Sequence, residues 1–269
     1  MKIHLLGSGS SGNCALIVAS SQNSSTKICL DAGIPLKTAR LYSEQTGHSL
    51  NELNGVLLTH HHSDHSANII SMAANAKAPL YLSEKIINNS AKLSQSEITR
   101  RKVTTHPLED KKSFKIGAVK ITPHQVPHDA IPTFGFVFEH MDYKAGFFTD
   151  FGSPESLITE NIFFDLDELI IESNYDEDML KNGSYPQRLK DRISGPLGHL
   201  SNKQTAEIIE KGVSSKIRKI TLAHISQKNN TAEKALNSAE KAAEKAGLQN
   251  LTINVAAQRG VKPKITSTR

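Results

Sequence analysis

The heptapeptide THHHSDH constrains this chain more than any other feature, because it concentrates four histidines and an aspartate directly after a predicted strand at Val56–Thr59. Side chains alternate between opposite faces along an extended chain, so His60 and His62 point the same way and His61 points away from them. His60 and His62 can therefore share one metal ion. A polar surface turn is the alternative, but so dense a set of metal-competent side chains disfavours it.

The second half of the heptapeptide adds Asp64 and His65, which follow once the chain begins to turn and can converge on a second ion. Imidazole and carboxylate ligands suit zinc, with manganese or iron as alternatives. Two ions need more ligands than these four. The candidates at predicted strand ends are His128, Asp150, His199 and His224.

Short strand-like runs alternate with helical patterns along residues 1–269, and no linker divides them, which predicts a single domain. The predicted strands are Lys2–Leu6, Cys14–Val18, Lys27–Leu30, Val56–Thr59, Leu80–Leu82, Phe114–Ile116, Val119–Thr122, Phe134–Phe138, Ala145–Thr149, Glu168–Glu172, Lys219–Ala223 and Leu251–Val255. Helices are predicted at Asn202–Lys211 and Thr231–Ala246, the second with Asn230 and Glu233 at capping-box spacing. Hairpins with interleaved helices favour an α/β fold with mixed sheets.

The composition is that of an ordinary globular protein, with 38% hydrophobic and 22% charged residues and a net charge of +5. The positive balance slightly favours an anionic partner such as nucleic acid. The chain shows no run of membrane-spanning length, and its start shows no signal-peptide core. Cys14 and Cys29 lie on apolar segments and predict buried thiols in a reducing compartment, which favours a cytoplasmic location. The oligomeric state is not indicated.

The heptapeptide has the form T-H-x-H-x-D-H and resembles the signature of the metallo-β-lactamase fold. The segment ICLDAG before it and the segments PHDA, FFTDFG and LAHIS after it stand in the order of that fold. The resemblance implies a four-layer αββα sandwich with two mixed sheets, in which Asp31 orients the metal ligands. The implied ligands are His60, His62 and His128 for the first ion, Asp64, His65 and His224 for the second, and Asp150 for both.

Longer segments, GSGSSGNC, VPHDA, ESNYDEDMLKNGSYP, GHLSN and LAHISQKNN, resemble the WalJ branch of that superfamily, also called YycJ or VicX. In this branch, and in the related tRNase Z and RNase J enzymes, an acid and a histidine lie together near the leaving group. Glu172 and His199 match those positions, and Tyr175 stands where relatives often carry histidine. The resemblance thus implies a catalytic set of Asp64, Glu172 and His199.

This resemblance implies hydrolysis of phosphodiester bonds with two divalent cations, with nucleic acid as the substrate and a 5′→3′ DNA exonuclease as the activity. Only 21 residues separate His128 from Asp150, and His199 follows 49 positions later, which disfavours tRNase Z and RNase J activities. A β-lactamase is disfavoured because those enzymes carry cysteine where Asp150 stands. The alternatives are a cyclic phosphodiesterase, a glyoxalase II-like thioesterase and a non-catalytic nucleic-acid-binding scaffold.

Two further patterns have competing interpretations. Arg188, Lys190 and Arg192 can contact a phosphate backbone, although a solvated helix face is the alternative. The segment GSGSSG satisfies the dinucleotide-binding pattern G-x-G-x-x-G, with Asp31 19 residues beyond its last glycine. That pattern requires a helix next, whereas a short strand is predicted, so a tight turn beside the metal site is favoured.

Overall fold

The computed structural model describes residues 1–21, 24–130 and 132–268. The first of two sheets comprises β1 (Lys2–Gly7), β2 (Cys14–Ser20), β3 (Ser25–Leu30), β4 (Gly55–Leu57), β5 (Leu80–Leu82) and β6 (Thr105–Pro107). Its strands lie side by side in chain order, antiparallel from β1 to β3 and parallel from β3 to β6. The parallel half brings the carboxyl ends of β3 and β4 to the same edge.

The second sheet comprises β7 (Phe114–Ile116), β8 (Val119–Val126), β9 (Thr133–His140), β10 (Tyr143–Phe148), β11 (Glu168–Glu172), β12 (Lys219–Ala223), β13 (Thr252–Val255) and β14 (Ile265–Thr268). Strands β7 to β10 pair antiparallel, β10 to β13 pair parallel, and β14 returns antiparallel to β13. The carboxyl ends of β10, β11 and β12 therefore meet at one edge.

The helices are α1 (Leu36–Glu44), α2 (Ser63–Ser66), α3 (Ile69–Ala76), α4 (Glu84–Asn89), α5 (Gln95–Arg100), α6 (Glu155–Thr159), α7 (Glu177–Asn182), α8 (Gln187–Ser194), α9 (Asn202–Lys211) and α10 (Ala232–Lys245), with a 3₁₀ turn at Ala91–Leu93. Within the described ranges, no helix is long and apolar enough to cross a membrane.

Three apolar cores hold these elements in four layers. Between the sheets, Ile17, Phe136 and Ile170 are at most 1% exposed. Outside the second sheet, α9 and α10 bury residues such as Ile208 against it, and outside the first sheet α1 and α3 bury residues such as Ile69. Burial of apolar area on both faces of each sheet stabilises this arrangement. The predicted αββα sandwich with two mixed sheets is confirmed, whereas the single domain over residues 1–269 stays a prediction.

The element boundaries follow the sequence patterns with instructive differences. The strand predicted to reach Thr59 ends at Leu57, because the Thr59 amide donates to Asp31 Oδ1 at 2.9 Å. The predicted capping box at Asn230 is wrong: Thr231 caps α10 by accepting from the amide of Lys234. Strands β6 and β14 were not predicted, because their short sequences THP and ITST carry little apolar patterning.

The glycine-rich turn after β1 leads directly into β2, so the helix that dinucleotide binding requires is absent from the described chain at this point. Gly9 and Gly12 have φ angles of 135° and 132°, which L-residues rarely adopt. The turn therefore serves local backbone geometry, and the alternative of a tight turn is the correct one.

Candidate metal centre

The candidate site lies where the carboxyl ends of strands from both sheets meet. Asp31 directly follows β3, His224 directly follows β12, and Asp150 lies two residues beyond β10. All three adopt left-handed backbone conformations, with φ of 58°, 53° and 63° respectively. A non-glycine residue in this region costs on the order of 1 kcal/mol or more, and such strain is concentrated at functional sites. The fold thus tolerates backbone strain at the positions where it places these three side chains at the strand ends.

All seven predicted metal ligands come together there. Four overlapping groups each place one ligand atom per residue within 4.8 Å of one another: His60, His62 and His128; His60, His65 and Asp150; Asp64, His65 and His224; and Asp150, Glu172, His199 and His224. Because His60, His65, Asp150 and His224 each belong to two groups, the groups form one continuous centre. Glu172 and His199 belong to it as well.

The centre contains buried polar atoms that the protein itself leaves without hydrogen bonds. They are Nε2 of His60, His128 and His224 and Oδ2 of Asp150. Each unsatisfied buried group costs about 1–3 kcal/mol. The Asp150 oxygen lies 3.2 Å from His65 Nε2 without hydrogen-bond geometry. Ligand atoms around a tetrahedral zinc ion lie roughly 3.4 Å apart, so these residues fit divalent cations.

The buried carboxylate of Asp31 fixes the outer nitrogen, Nδ1, of the His65 ring. Asp31 Oδ2 lies 2.7 Å from His65 Nδ1, and the same carboxylate accepts from the Thr59 hydroxyl. Thr59 Oγ1 in turn lies 3.0 Å from His60 Nδ1. Protons held on Nδ1 leave Nε2 as the lone-pair atom of both rings, and Nε2 of His60 has no hydrogen-bond partner in the protein.

The electrostatic field of the centre also favours a cation. Burial lowers the pKa of His65, but Asp150 and Asp31 outweigh burial and raise that pKa to about 10. The same pattern holds at His224, where burial is outweighed by Asp150, Asp64 and Glu172, and the pKa lies well above its usual value. Carboxylates that stabilise a positive ring equally stabilise a metal cation.

Glu172 at the end of β11 is fully buried and contacts two histidines. Its Oε1 lies 2.8 Å from His199 Nδ1 and 2.6 Å from His224 Nδ1. Its Oε2 accepts the backbone amides of Asp150 and Phe151 at 3.1 and 3.2 Å. The sequence paired Glu172 with His199 alone. The structure shows that it also orients His224.

Two functional candidates escaped the sequence analysis. Asn13 Nδ2 lies 2.8 Å from His65 Nε2 and 3.3 Å from Asp64 Oδ2, and its position in the segment GSGSSGNC was the available signal. Asp129 Oδ1 lies 3.4 Å from His128 Nε2. Its signal was adjacency to His128 in the segment PHDA.

The glycine-rich turn and the ICLDAG segment hold α2 in place by backbone contacts. The Asn13 amide donates to the Asp64 carbonyl at 2.7 Å, and the Ala32 amide donates to the His65 carbonyl at 2.8 Å. A Cβ atom on Gly33 would lie 1.6 Å from the Asp64 carbonyl oxygen. Only glycine therefore allows this close approach, which positions Asp64 and His65.

The remaining singled-out residues lie at the margin or outside. His61 is exposed and belongs to none of the candidate groups in the described chain. Arg192 reaches the rim through Asp129, whereas Arg188 is exposed and Lys190 donates to the Lys181 carbonyl at 2.7 Å.

Tyr175 is 4% exposed and lies among the lining residues of a cavity beside α7, α8 and α9. Burial and the neighbouring Glu177 raise its pKa to about 12. The Tyr175 hydroxyl therefore stays neutral near physiological pH.

Comparison with known proteins places this geometry in context. Residues 26–225 match the family model described as the Beta-lactamase superfamily domain. Exodeoxyribonuclease WalJ of Streptococcus pneumoniae serotype 2 is 32% identical over 237 residues, covering 87% of this chain and 85% of that protein. Exodeoxyribonuclease YycJ of Bacillus anthracis is 30% identical over 243 residues, covering 90% of this chain and 89% of that protein.

Among solved structures, the metallo-beta-lactamase fold protein YhfI from Bacillus subtilis superimposes with a TM-score of 0.70 over 96% of each chain. Its sequence identity to this chain is 16%, so the likeness is one of fold.

Proposed function

Because this chain belongs to the beta-lactamase superfamily and is a metal-dependent hydrolase, we propose that it is an exonuclease that hydrolyses phosphodiester bonds of DNA from the 5′ end. The carrying observation is the pair formed by His199 and the fully buried Glu172, in contact with a cluster of metal-competent histidines. The exodeoxyribonuclease relatives at 32% and 30% identity support DNA as the substrate. The net charge of +5 favours a polyanion.

Two divalent cations are part of this proposal, with zinc as the first choice and manganese as the alternative. The proposed ligands are His60, His62 and His128 for one cation, Asp64, His65 and His224 for the other, and Asp150 for both. When bound, such cations activate water as a nucleophile near neutral pH and stabilise the negative charge of a phosphodiester. The unsatisfied Nε2 atoms of His60, His128 and His224 support these assignments.

His199 is proposed as the general acid that protonates the leaving oxygen. Burial disfavours its charged form, but Glu172 outweighs burial and raises the pKa of His199 above its usual value. Because Nδ1 of His199 is held by Glu172, Nε2 is the atom that donates the proton. The His199 side chain is 19% exposed, so a substrate can reach it.

The proposed location is the cytoplasm. Cys14 and Cys29 are free and buried, with sulfur atoms 3.8 Å apart. The contact with Cys14, together with burial, raises the pKa of Cys29 well above its usual value, because the charged thiolate is disfavoured there. Unreactive thiols this close together suit a reducing compartment.

The test is a cleavage panel on protein reconstituted with zinc or with manganese. The substrates are 3′-labelled single- and double-stranded DNA with 5′-phosphates, RNA, a cyclic dinucleotide and a thioester. The expected result is stepwise release of mononucleotides from the 5′ end of DNA, abolished in Asp150→Ala. Turnover of only the cyclic dinucleotide or only the thioester would replace the proposal with a small-molecule hydrolase. DNA binding without any turnover would indicate a scaffold.

A further inference from the structure

Asp129 connects the metal-competent histidines to an arginine at the rim of the site. Its Oδ1 lies 3.5 Å from His62 Nε2 and 3.4 Å from His128 Nε2. Its Oδ2 lies 2.6 Å from Arg192 Nε. One carboxylate therefore faces two candidate ligand nitrogens with one oxygen and a guanidinium with the other.

The position of Oδ1 is that of a ligand atom. Four ligands at about 2.1 Å from a tetrahedral zinc ion lie roughly 3.4 Å from one another. The separations of 3.5 and 3.4 Å between Asp129 Oδ1 and the two imidazole nitrogens match this spacing. Asp129 Oδ1 thus stands beside the nitrogens through which His62 and His128 would hold a cation.

The contact between the Asp129 carboxylate and Arg192 has the chemistry of phosphate recognition. A phosphodiester carries two non-bridging oxygens, and guanidinium groups bind phosphate and carboxylate through the same donors. One non-bridging oxygen beside that cation and the second at Arg192 would repeat both contacts of the Asp129 carboxylate. The carboxylate therefore resembles a bound phosphate in charge and in its partners.

Asp129 and Arg192 are exposed enough for a phosphate to replace the Asp129 carboxylate. The side chains of Asp129 and Arg192 are 29% and 55% exposed, whereas those of Asp150 and Glu172 are 3% and 0% exposed. The backbone of Asp129 is anchored, because its amide donates to the Leu197 carbonyl at 3.0 Å. A rotation of the Asp129 side chain can thus clear the position without disturbing the ligands beneath it.

We propose that Asp129 is an internal placeholder for the substrate phosphate, occupying the phosphate position beside the two histidines and Arg192 until a phosphate displaces it. This inference rests on the proposed function, since it assigns Arg192 to the scissile phosphate of DNA. Small phosphates must compete with an anion that is already present and are held weakly. DNA makes further contacts along its backbone and therefore displaces the Asp129 carboxylate.

The test measures the binding of inorganic phosphate to metal-loaded protein by calorimetry, with the metal content of each sample determined in parallel. Asp129→Asn should keep its metal and bind phosphate about tenfold more tightly, because the competing charge is gone. Asp129→Asn/Arg192→Ala should keep its metal and bind phosphate about tenfold more weakly than Asp129→Asn alone, because one charged donor is lost where no competing carboxylate remains.

Two surface variants serve as matched controls. Asp191→Asn makes the same charge change on α8, next to Arg192, where that side chain accepts from Gln187. Arg100→Ala removes an exposed arginine that pairs with Glu97 away from the site. Both should bind phosphate like the wild-type protein.

Unchanged or weaker phosphate binding in Asp129→Asn would overturn the inference, and so would loss of a metal ion, which would make Asp129 a permanent ligand. Equal phosphate binding in Asp129→Asn and in the double variant would equally overturn it. The measurement requires no turnover, so it separates this inference from the nuclease proposal. A protein that cleaves no DNA but shows the competition would refute only the latter.

Discussion

Replacement of Glu172 by glutamine should weaken metal binding as well as catalysis, because this carboxylate is surrounded by donors. Oε1 faces the Nδ1 atoms of His199 and His224, and Oε2 faces the backbone amides of Asp150 and Phe151. A glutamine has one NH₂ group, which must face one of these two sets.

Both orientations of the glutamine are unfavourable. If the NH₂ group faces the imidazoles, their protons must move from Nδ1 to Nε2, and His224 can no longer bind metal through Nε2. If it faces the backbone amides, buried donors are left unpaired. Loss of a carboxylate that orients a metal-bound histidine typically lowers metal affinity about 10- to 100-fold. Loss of one partner from a buried charged pair typically costs about 3–5 kcal/mol of folding stability. We expect both effects in Glu172→Gln.

The assay is a chelator-competition titration for metal affinity, combined with urea unfolding of the metal-free protein. Glu168→Gln is the matched control, because Glu168 lies on the same strand and is 2% exposed. Its carboxylate accepts from the Tyr143 hydroxyl at 2.9 Å and pairs with Lys219 at 2.7 Å. The control should lose stability and keep its metal affinity. Equal metal affinities in the two variants would refute the role of Glu172 in orienting His224.

Three further predictions concern the same centre. His61→Ala should keep its metal and most of its activity, whereas His62→Ala should lose both; equal losses in elemental analysis and DNA cleavage would contradict the assignment. His199→Ala should keep its metal and lose about 10²- to 10⁴-fold in DNA cleavage. Its activity should recover on a nitrophenyl phosphodiester, because that leaving group needs little protonation. Loss of metal from this variant would make His199 a ligand. Gly33→Ala should lower the free energy of unfolding by about 1–3 kcal/mol through crowding and should weaken metal binding. The control Gly47→Ala, at a position with φ of 79° and open space around it, should affect stability alone. Identical metal titrations of the two variants would show that the turn adjusts without moving the site.

The sequence by itself determined much of the architecture, because the relevant signals are local. Alternation along extended chain separated His61 from His60 and His62, and the structure leaves His61 exposed while His60 is buried. Apolar runs bounded by turn residues predicted most strands, and the helix at Asn202–Lys211 was predicted with the bounds that the structure shows. These features depend on neighbours within a few residues, so one chain suffices to predict them.

Only the tertiary structure decided which side chains far apart in the chain contact one another. Glu172 contacts His224 because β11 and β12 lie side by side, although 52 residues separate the two in the chain. Asp129 meets Arg192 across 63 residues. No local pattern contains such distances, because they follow from the order of strands in the sheets and from the packing of loops at their ends. The sequence therefore predicted which side chains gather at the centre, and the fold decided which of them hold one another.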